Sequence, residues 1–411
     1  DELHAFRGVF GTHVAHVLRR LRRVAAVHGG DPTFIGCSAT IGDPAGLAGA
    51  LWGGPVEPVV DDGSPRGERV VALWQPDDER PSPHRETAEL LAELVGSGHR
   101  AIGFCRSRRL TEVVARDVRR RLPDDIACTV RPYRGGYLPS ERREIEEELF
   151  SGTLRGVVAT NALELGVDIG GLDACVLDGF PGTIASFWQQ AGRAGRERQQ
   201  SLAVLVAGED QLDHWLLRHP TELFERPPEP AVINPANPLV LGPHLACAAF
   251  ERPLTHADER WWPGLLDDGV RDLVLDGKLK VRRRAAGGPT AVWGARGFPA
   301  HGVGLRSGSG GEIKILRAAD DGLVGTVEAA RATELVHPGA VYLHQGVSWR
   351  VVELSVADRI ARVEPDPGVE WTMARTDIDI RTGRVDAVRT VGAVELRLGW
   401  VEVDSRVVGY Q

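Results

Sequence analysis

Short apolar runs alternate with amphipathic segments through the middle of the chain. Between about Val70 and Phe224 the strand-like runs are RVVALW, RAIGFC, IACTV, GVVAT, ACVLD and SLAVLV. Segments with helical periodicity, such as 85–95 and 140–150, separate these runs. Strands that alternate with helices of about 10–15 residues are typical of a parallel sheet covered by helices on both faces. The pattern therefore predicts an α/β fold with a doubly wound parallel sheet over residues 70–225.

The first 52 residues predict a helix followed by a buried strand. Apolar residues recur at helical spacing at Val14, Val17, Leu18, Leu21 and Val24. The run TFIGCSAT, residues 33–40, is short and largely apolar, as is typical of a buried strand. Residues 53–69 are rich in glycine, proline and aspartate, so we expect them to form a linker.

A proline-rich segment, residues 225–238, separates this region from the last part of the chain. Its five prolines exclude a continuous helix or a central strand. Residues 239–300 then contain two helical patterns followed by the hairpin-like runs KLKVRRR and TAVWGAR, which predicts a winged-helix-like module. Residues 312–411 consist of short alternating runs broken by turn signals, as in a small β-rich, barrel-like domain.

The composition is that of an ordinary globular protein, with 42% apolar and 26% charged residues among 411. No run approaches the roughly 18 apolar residues of a membrane span, so we expect no membrane partner. A net charge of −8 is no signature of nucleic-acid binding, and any such binding must come from local basic patches. The chain begins at Asp1 without a leader, which predicts a fragment or a processed cytoplasmic chain.

The five cysteines are scattered and never spaced as C-x-x-C: Cys37, Cys105, Cys128, Cys175 and Cys247. This spacing argues against a disulfide framework and does not support a zinc site within these residues, and it indicates a reducing compartment. We expect each cysteine to be a small buried hydrophobic side chain.

The chain opens on a D-E-x-H box, Asp1-Glu2-Leu3-His4. Two adjacent carboxylates at a strand end can divide the work of nucleotide hydrolysis, since the aspartate can hold Mg²⁺ and the glutamate can polarise the attacking water. Acidic pairs are also common on solvated surfaces. The segment Ser38-Ala39-Thr40 ends the predicted strand and could bond to carboxylates and backbone, although an ordinary hydroxyl-capped turn has the same composition.

The segment ATNALELGVDI, residues 159–169, follows the strand-like run GVV. Thr160 could donate a hydrogen bond to a phosphate of a nucleic-acid backbone. Gly166 and Asp168 are candidates for binding a nucleotide, with Asp168 contacting a ribose or an arginine of the next motif. The alternative is a glycine-broken loop with a solvated glutamate and a solvated aspartate.

The strongest local signal is QQAGRAGR, residues 189–196. Arg193 and Arg196 lie three residues apart, so they face one way if the segment is helical. Gly192 and Gly195 would let the backbone approach another surface closely. Two guanidinium groups aimed at one place can stabilise a γ-phosphoryl group during its transfer, whereas a solvated basic face is the alternative.

The order D-E-x-H, S-A-T, T…D and Q-x-x-G-R-x-G-R on an α/β background resembles a superfamily 2 helicase or translocase over about residues 1–224. The resemblance implies that residues 1–52 are a remnant of a first RecA-like lobe and residues 70–225 the second lobe. It implies coupling roles for Ser38, Ala39 and Thr40. It implies catalytic roles, including a magnesium ligand at Asp1, for Asp1, Glu2, His4, Gln189, Arg193 and Arg196.

The segment GFCRSRR, residues 103–109, resembles motif IV of that family, and Tyr133-Arg134-Gly135-Gly136 resembles the DNA-contacting turn that follows. The resemblance implies DNA contacts from Ser107, Arg108, Arg109, Arg134 and Thr160. Arg283, on the predicted wing, is a second basic candidate for DNA binding. Each arginine cluster could equally be a solvated surface.

Three longer segments, DELHAFRGVFGTHVAHVLRRLRR, PYRGGYLPSERREIE and NALELGVDIGGLDACVLDGFPG, look like the branch of mitomycin repair factor A and the fungal RecQ-like Hrq helicases. That likeness implies an ATP- and Mg²⁺-dependent 3′-to-5′ DNA helicase of DNA repair. It implies a DNA partner with a single-stranded 3′ tail and a place in the bacterial cytoplasm with the nucleoid. Members of the branch also carry a four-cysteine zinc domain, which the cysteine spacing here does not provide.

No G-x-x-x-x-G-K-[ST] loop occurs in the 411 residues, so the sequence lacks the element that cradles nucleotide phosphates. We therefore expect the C-terminal portion of a helicase that cannot hydrolyse ATP by itself. One alternative is a non-catalytic DNA-binding module with remnant helicase motifs. The other is an RNA helicase, which the motifs exclude poorly.

Overall fold

The computed structural model describes residues 1–410 except 62, 64–66, 77–81, 166–170, 196–198, 284–287, 306–311 and 368–371. Close contacts divide the chain into two units. The first unit comprises Asp1–Arg106 and Asn161–Ser309, and the second comprises Ser107–Thr160 and Gly310–Gln411. No helix of the described part of the chain is long and apolar enough to cross a membrane.

Helices and strands alternate through the α/β region and strands dominate after it. The helices are α1 (Gly8–Val27), α2 (Pro44–Trp52), α3 (Pro83–Gly96), α4 (Arg108–Arg121), α5 (Asp124–Ala127), α6 (Pro139–Ser151), α7 (Ile184–Ala191), α8 (Gln211–Arg218), α9 (Pro220–Phe224), α10 (Pro238–Glu251), α11 (Leu266–Leu275) and α12 (Ala332–Leu335). The strands are β1 (Arg69–Trp74), β2 (Ala101–Phe104), β3 (Val130–Tyr133), β4 (Gly156–Ala159), β5 (Ala174–Asp178), β6 (Ser201–Val206), β7 (Leu279–Arg282), β8 (Thr290–Trp293), β9 (Glu312–Arg317), β10 (Leu323–Glu328), β11 (Val341–His344), β12 (Val347–Ser355), β13 (Ile360–Pro365), β14 (Ala374–Val391) and β15 (Val394–Tyr410).

Strands β1 to β6 form a six-stranded sheet in the order β1-β6-β5-β2-β4-β3. The pairs β1–β6, β5–β6, β2–β5 and β3–β4 are parallel. Strands β2, β4 and β5 are buried along their whole length, as expected where helices cover both faces of a sheet. The predicted parallel α/β fold is confirmed. One run was misassigned, because most of IACTV lies in and just after the short helix α5 and only Val130 belongs to β3.

Helix α1 buries a largely polar face, and only Val14 and Leu18 of its five regular apolar residues pack against a buried cluster. Val17, Leu21 and Val24 are exposed. The buried positions are polar or small: Gly11, Thr12, His13, Ala15, His16, Arg19 and Arg23. Their side chains can be buried because they hydrogen-bond to α2, to α10 and to the chain around it, which compensates for the loss of water.

The predicted strand TFIGCSAT is wrong. Residues 33–40 are irregular and largely exposed, and no described strand pairs with them. Hydrogen bonding to a neighbouring strand is what makes an apolar run a strand, and here the backbone contact is a single bond from Leu3 N–H to the Cys37 carbonyl at 2.8 Å. Cys37 and Cys128 are exposed, contrary to expectation, whereas the other three cysteines are buried.

The winged-helix-like prediction is confirmed. Helices α10 and α11 pack against the antiparallel hairpin β7–β8, whose register pairs Leu279 with Trp293. An isolated bridge from Leu254 to Ala291 adds a third short partner to the hairpin. Trp262 is fully buried in the core of this module, so it is a packing residue.

The β-rich region contains a five-stranded sheet in the order β10-β9-β13-β12-β11, built around Ile313, Ile315, Val351, Ala361 and Val363. It also contains an antiparallel ribbon of two long strands, β14 with 18 residues and β15 with 17. The short runs expected here therefore describe the sheet but not the ribbon.

Candidate functional site

The D-E-x-H box lies at the start of the first unit, immediately before α1. Asp1 is exposed, and its Oδ1 accepts the Glu2 N–H at 3.0 Å. Glu2 has a left-handed backbone with φ of 53°, an uncommon conformation for a residue other than glycine. Leu3 bonds to Cys37, so the box lies beside the segment that carries Ser38 and Thr40.

His4 and Gln189 join three of the predicted motifs. His4 Nδ1 lies 2.7 Å from Ser38 Oγ. The Gln189 amide nitrogen lies 2.6 Å from His4 Nε2 and donates to Thr40 Oγ1 at 2.6 Å. Because an amide nitrogen only donates, His4 Nε2 is the acceptor and Nδ1 carries the proton that is donated to Ser38. The network is therefore built for a neutral His4.

The surroundings of His4 also favour the neutral imidazole. Burial lowers the pKa of His4, and the nearby charges of Glu2 and Glu164 oppose that shift without reversing it. The Glu2 carboxylate lies 3.5 Å from His4 Nδ1. A change in the charge near Glu2 would therefore be felt directly at His4 and, through Gln189, at the end of helix α7.

Arg193 is half-buried and lies beside Glu164. Its Nε donates to the Glu164 carbonyl at 3.1 Å, and an Nη donates to the same oxygen. Burial lowers the pKa of Arg193, while the charges of Glu2 and Glu164 raise it. The Glu164 carboxylate accepts a hydrogen bond from Gln190 at 2.8 Å. Glu164 and Gln190 were missed by the sequence analysis, and Glu164, which is solvated in the alternative interpretation of its loop, is in fact buried.

Gly195 meets the expectation of close backbone approach. Its φ is +78°, and a Cβ at this position would lie 2.5 Å from Ser201 Oγ. A Cβ at Gly192 would lie 2.9 Å from the Trp188 carbonyl oxygen. The glycines of QQAGRAGR are thus explained by packing. Arg196, Gly166 and Asp168 lie outside the described residues.

The motif IV segment starts helix α4. Ser107 is its N-cap, and its Oγ accepts the Leu110 N–H at 3.1 Å. Arg108 is half-buried, with its guanidinium against Gly135, and Arg109 is exposed. Burial lowers the pKa of both arginines, and for Arg108 the neighbouring charges of Arg134 and Arg331 act in the same direction. Arg108 and Arg331 are two cations close together, which favours an anionic ligand, and the nearby charge of Glu328 acts in the opposite direction.

Arg134 corrects the prediction of a DNA-contacting side chain. It is only 2% exposed. Its Nε donates to Glu112 at 2.9 Å, an Nη donates to the Leu343 carbonyl, and its guanidinium lies over the rings of Tyr137 and Tyr342. The reason for the difference is Glu112, whose buried carboxylate holds the arginine inside the second unit.

Glu112 gathers four donors in the second unit. Besides Arg134, it accepts the Tyr137 hydroxyl at 2.6 Å and the backbone N–H groups of Gln345 and Gly346 at 3.1 and 2.9 Å. The carboxylate therefore ties α4 to the predicted DNA turn and to the turn between β11 and β12. The sequence did contain a signal for Glu112. It lies three residues before the apolar Ala115, and residues at this spacing share one face of a helix, which in α4 is the buried face.

The two remaining candidates differ in exposure. Thr160 follows β4 directly and is buried, and its N–H donates to the Tyr133 carbonyl at 3.2 Å. Arg283 follows β7 and is exposed, so its guanidinium can reach a ligand.

Asp1 offers one carboxylate to a magnesium ion. No cluster of three His, Cys, Asp or Glu side chains that could hold a metal occurs among the described residues. Magnesium in nucleotide sites is usually held by one or two carboxylates, with phosphate and water completing its six ligands. The exposed Asp1 fits such a partial shell.

Two family models match parts of the chain. Residues 86–198 match the helicase conserved C-terminal domain, and residues 233–308 match the winged helix domain of the ATP-dependent helicase HRQ1.

Two curated relatives and one solved structure are similar over nearly the whole chain. The ATP-dependent helicase YprA of Bacillus subtilis is 39% identical over 98% of this chain and 55% of its own length. The ATP-dependent helicase HRQ1 of Saccharomyces cerevisiae is 33% identical over 99% of this chain and 39% of its own length. The crystal structure of the DUF1998 helicase MrfA bound to DNA superposes with a TM-score of 0.88 and 38% identity, over 100% of this chain and 55% of that one.

The chain thus spans about half the length of these relatives, or less. The matches cover both described units and the motifs from the D-E-x-H box to QQAGRAGR. The chain is therefore similar to the Hrq1- and MrfA-like helicases, and it carries matches to the helicase conserved C-terminal domain and to the HRQ1 winged helix domain.

Proposed function

We propose that these 411 residues are the C-terminal portion of an ATP-dependent DNA helicase that acts in DNA repair. The observation that carries the proposal is the network in which Gln189 bonds to both His4 and Thr40. It links the D-E-x-H box, residues 1–4, which would bind the nucleotide, to residues 38–40, which would couple nucleotide binding and hydrolysis to movement on DNA. Relatives named ATP-dependent helicases, and one solved bound to DNA, support it.

The catalytic roles follow from chemistry and position. ATP and Mg²⁺ supply the phosphoryl group and the cation that neutralises it, with Asp1 as a metal ligand. Glu2 orients the attacking water. Arg193, together with Arg196, stabilises negative charge on the γ-phosphate. Arg193 must exchange the Glu164 carbonyl for phosphate, which two hydrogen bonds to a single carbonyl oxygen permit.

The DNA partner contacts the chain through local arginines, since the net charge is −8. We assign phosphate contacts to Ser107, Arg108 and Arg109, and a further contact to Arg283 on the wing. Thr160 is buried, so a phosphate contact from its hydroxyl requires the end of β4 to become exposed. We assign Arg134 to holding the turn in place rather than to touching DNA. The substrate is DNA with a single-stranded 3′ tail, translocation is 3′ to 5′, and the protein works in the bacterial cytoplasm with the nucleoid.

The proposed domain organisation follows from these assignments. Residues 1–52 belong to a first RecA-like lobe, 53–69 form a linker and 70–225 form the second lobe. A winged-helix module over 239–300 and a β-rich domain over 312–411 complete the chain. The helicase and winged-helix family matches at 86–198 and 233–308 support the placement of the second lobe and of the winged-helix module.

ATP turnover tests the proposal. The 411 residues alone are expected not to hydrolyse ATP because their sequence has no phosphate-binding loop. Expressed with the coding sequence that precedes Asp1, the chain is expected to hydrolyse ATP when DNA is present. In this proposal Gln189 also contacts the γ-phosphate once ATP is bound, so Gln189→Ala is expected to lower kcat on the order of 100-fold, as for other lost hydrogen-bond donors at a reacting phosphate or oxyanion. Gln211→Ala, on the exposed face of α8, is the matched control.

Two results would contradict this assignment. Turnover by the 411 residues alone that is lost in Arg193→Ala would show that the phosphate-binding loop is dispensable. DNA binding without turnover, from a gene with no phosphate-binding loop before Asp1, would support a non-catalytic DNA-binding module. Unwinding of matched 3′-tailed DNA and RNA duplexes separates a DNA helicase from an RNA helicase.

Salt dependence tests the DNA contacts. The slope of log K against log salt is negative, and each lost phosphate contact makes it less steep by about 0.7 for single strands. Arg108→Ala/Arg109→Ala is therefore expected to make the slope less negative by about 1.4. The control is Arg119→Ala/Arg120→Ala, which removes two exposed arginines from the other end of α4 and is expected to leave the slope unchanged. Equal slopes for the two double variants would remove Arg108 and Arg109 from the DNA site.

A further inference from the structure

Three buried histidines meet where helix α1 packs on the winged-helix module. His13 and His16 lie on α1 and His244 lies on α10. His16 and His244 are fully buried, and the His244 ring lies about equally close to the other two, with centroids 5.2 and 5.3 Å apart. Neither the proposed nucleotide site nor the DNA contacts use these side chains.

The hydrogen bonds fix the tautomer of His16. The indole N–H of Trp262 donates to His16 Nδ1 at 3.1 Å. His16 Nε2 lies 3.1 Å from the Pro235 carbonyl, which can only accept. His16 therefore carries one proton, on Nε2, and is neutral.

The hydrogen bonds fix His244 in the same way. Arg20 donates to His244 Nδ1 at 3.3 Å. The proton of His244 is then on Nε2, from which it is donated to His13 Nδ1 at 3.0 Å. A donor chain runs from Arg20 through His244 to His13, and every acceptor nitrogen in it is occupied.

The charged groups around the histidines disfavour further protons. From α1 these groups are Arg19, Arg20 and Arg23, while α10 contributes Glu251, which pairs with Arg20, and Cys247. The segment after α10 contributes Asp258, which Arg23 neutralises through hydrogen bonds of 2.7 and 3.2 Å. Burial lowers the pKa of His16 to about 4 and that of His244 to about 3, and neighbouring arginines and histidines add to the shift. Burial also lowers the pKa of His13.

We propose that His13, His16 and His244 form a latch that holds the winged-helix module on helix α1 only while all three imidazoles are neutral. A proton added to His16 would face the N–H of Trp262, and one added to His244 would face the N–H of Arg20. Two donors would then oppose each other in a dry contact, so the latch must open to accept protons. The D-E-x-H box ends at His4, four residues before α1 begins at Gly8. In the proposed function, the closed latch therefore makes the winged-helix module move together with α1 and this box.

Hydrogen exchange of the 411-residue chain tests the latch without nucleotide or DNA, so its failure leaves the proposed function untouched. Backbone protection in α1 and α10 is measured from pH 7.5 to 5.0 and corrected for the intrinsic pH dependence of exchange. Each histidine that is protonated only on opening contributes a factor of about ten per pH unit below about 6.5. At pH 5.0 the opening constant is expected to rise roughly 30-fold per histidine, or roughly 1000-fold for His16 and His244 together.

The variants separate a titrating latch from general acid sensitivity. Glutamine can donate and accept at the same positions but does not titrate. His16→Gln/His244→Gln is therefore expected to abolish most of the pH dependence in α1 and α10, whatever its protection at pH 7.5. His28→Gln, which removes the exposed histidine at the end of α1, is expected to retain it.

If the opening constant of α1 and α10 depends on pH equally steeply in the double variant and in His28→Gln, the latch is overturned. If the double variant does not fold, the wild-type chain decides the question. A slope in α1 and α10 no steeper than that in the central strands β5 and β6 would overturn the proposal, and a steeper slope confined to the two helices supports it.

Discussion

Two buried polar networks in this protein are built on opposite principles. Around Arg134 the network is ionic, because Glu112 meets a guanidinium, a phenol and two backbone N–H groups. Around His4 the network is neutral, because Gln189, His4, Ser38 and Thr40 exchange hydrogen bonds without a full charge among them. The first network cannot lose Glu112 or Arg134 without leaving the other charge buried and unpaired. The second can change its hydrogen bonds at low cost.

That difference indicates what each network is for. A closed ionic cage fixes geometry, and here it fixes the turn that carries Arg134 and the turn at Gln345. A neutral chain that ends near Glu2 and Arg193 can respond to a charged ligand. Of the two arginines in helicase-like motifs, Arg134 is buried against the Glu112 carboxylate, whereas the half-buried Arg193 donates to the backbone carbonyl of Glu164.

The largest effect is expected from breaking the ionic cage. Glu112→Ala leaves Arg134 buried without a counter-charge and three donors unpaired, which costs about 3–5 kcal/mol in the free energy of unfolding. Chemical denaturation of the 411-residue chain measures it. Asp117→Ala, on the same helix but paired with the partly exposed Arg120 and Arg121, is expected to cost about 1 kcal/mol or less. A loss of less than about 1 kcal/mol for Glu112→Ala would mean that the cage is not structural.

A smaller effect is expected from placing a charge in the neutral network. In Gln189→Glu a carboxylate that cannot donate faces His4 Nε2, so protonated His4 is favoured and the pKa of His4 should move from below 6.5 to above it. A shift of one unit corresponds to about 1.4 kcal/mol. Titration of the His4 ring by NMR measures this shift. Gln211→Glu should leave the pKa of His4 where it is, and an unchanged value in Gln189→Glu would show that the amide does not bond to His4.

The same network predicts a pH dependence with a definite sign. The pKa of His4 is lower in the folded chain than in the unfolded one, so the unfolded state binds more protons as the pH falls below about 6.5. The contribution of His4 to stability is therefore complete above that pH and is lost as the pH falls through the folded pKa. In His4→Gln that part of the acid sensitivity should disappear, and denaturation at pH 7.5 and 5.5 measures it. An equal pH dependence in both chains would count against a neutral His4.

The smallest effect is expected from Arg193. Arg193 is half-buried and donates to the neutral backbone carbonyl of Glu164, so Arg193→Ala should cost about 1 kcal/mol in the free energy of unfolding. Arg134→Ala should cost clearly more, because it leaves the Glu112 carboxylate without its cation. Denaturation of the two variants side by side provides the test. Equal losses would erase the distinction between a structural and a redirectable arginine.

Much of the fold follows from local patterns. The alternation of buried runs with amphipathic helices predicts the parallel sheet, since strands buried on both faces must be nearly continuous in apolar residues. The winged-helix-like hairpin is also readable from the sequence. The pattern is only partly right for α1, where Val14 and Leu18 pack on a buried cluster but Val17, Leu21 and Val24 are exposed and polar residues are buried. Periodicity identifies a helix there but not the face that finds partners.

For the motifs, too, the sequence gives the residue types and the tertiary structure gives their partners. The sequence alone determines which residue types are present in which order. The helicase-like order implied catalytic roles for His4 and Gln189 and coupling roles for Ser38 and Thr40, but not that the four share one hydrogen-bond network. Only the tertiary structure decides which side chains are buried together, because hydrogen-bond partners such as Glu112 for Arg134, or His244 for His13, lie 22 and 231 residues away in the chain. The cost of burying a polar group depends on such distant partners. For that reason the structure, and not the sequence, separates the arginines that hold the fold from those that can meet a ligand.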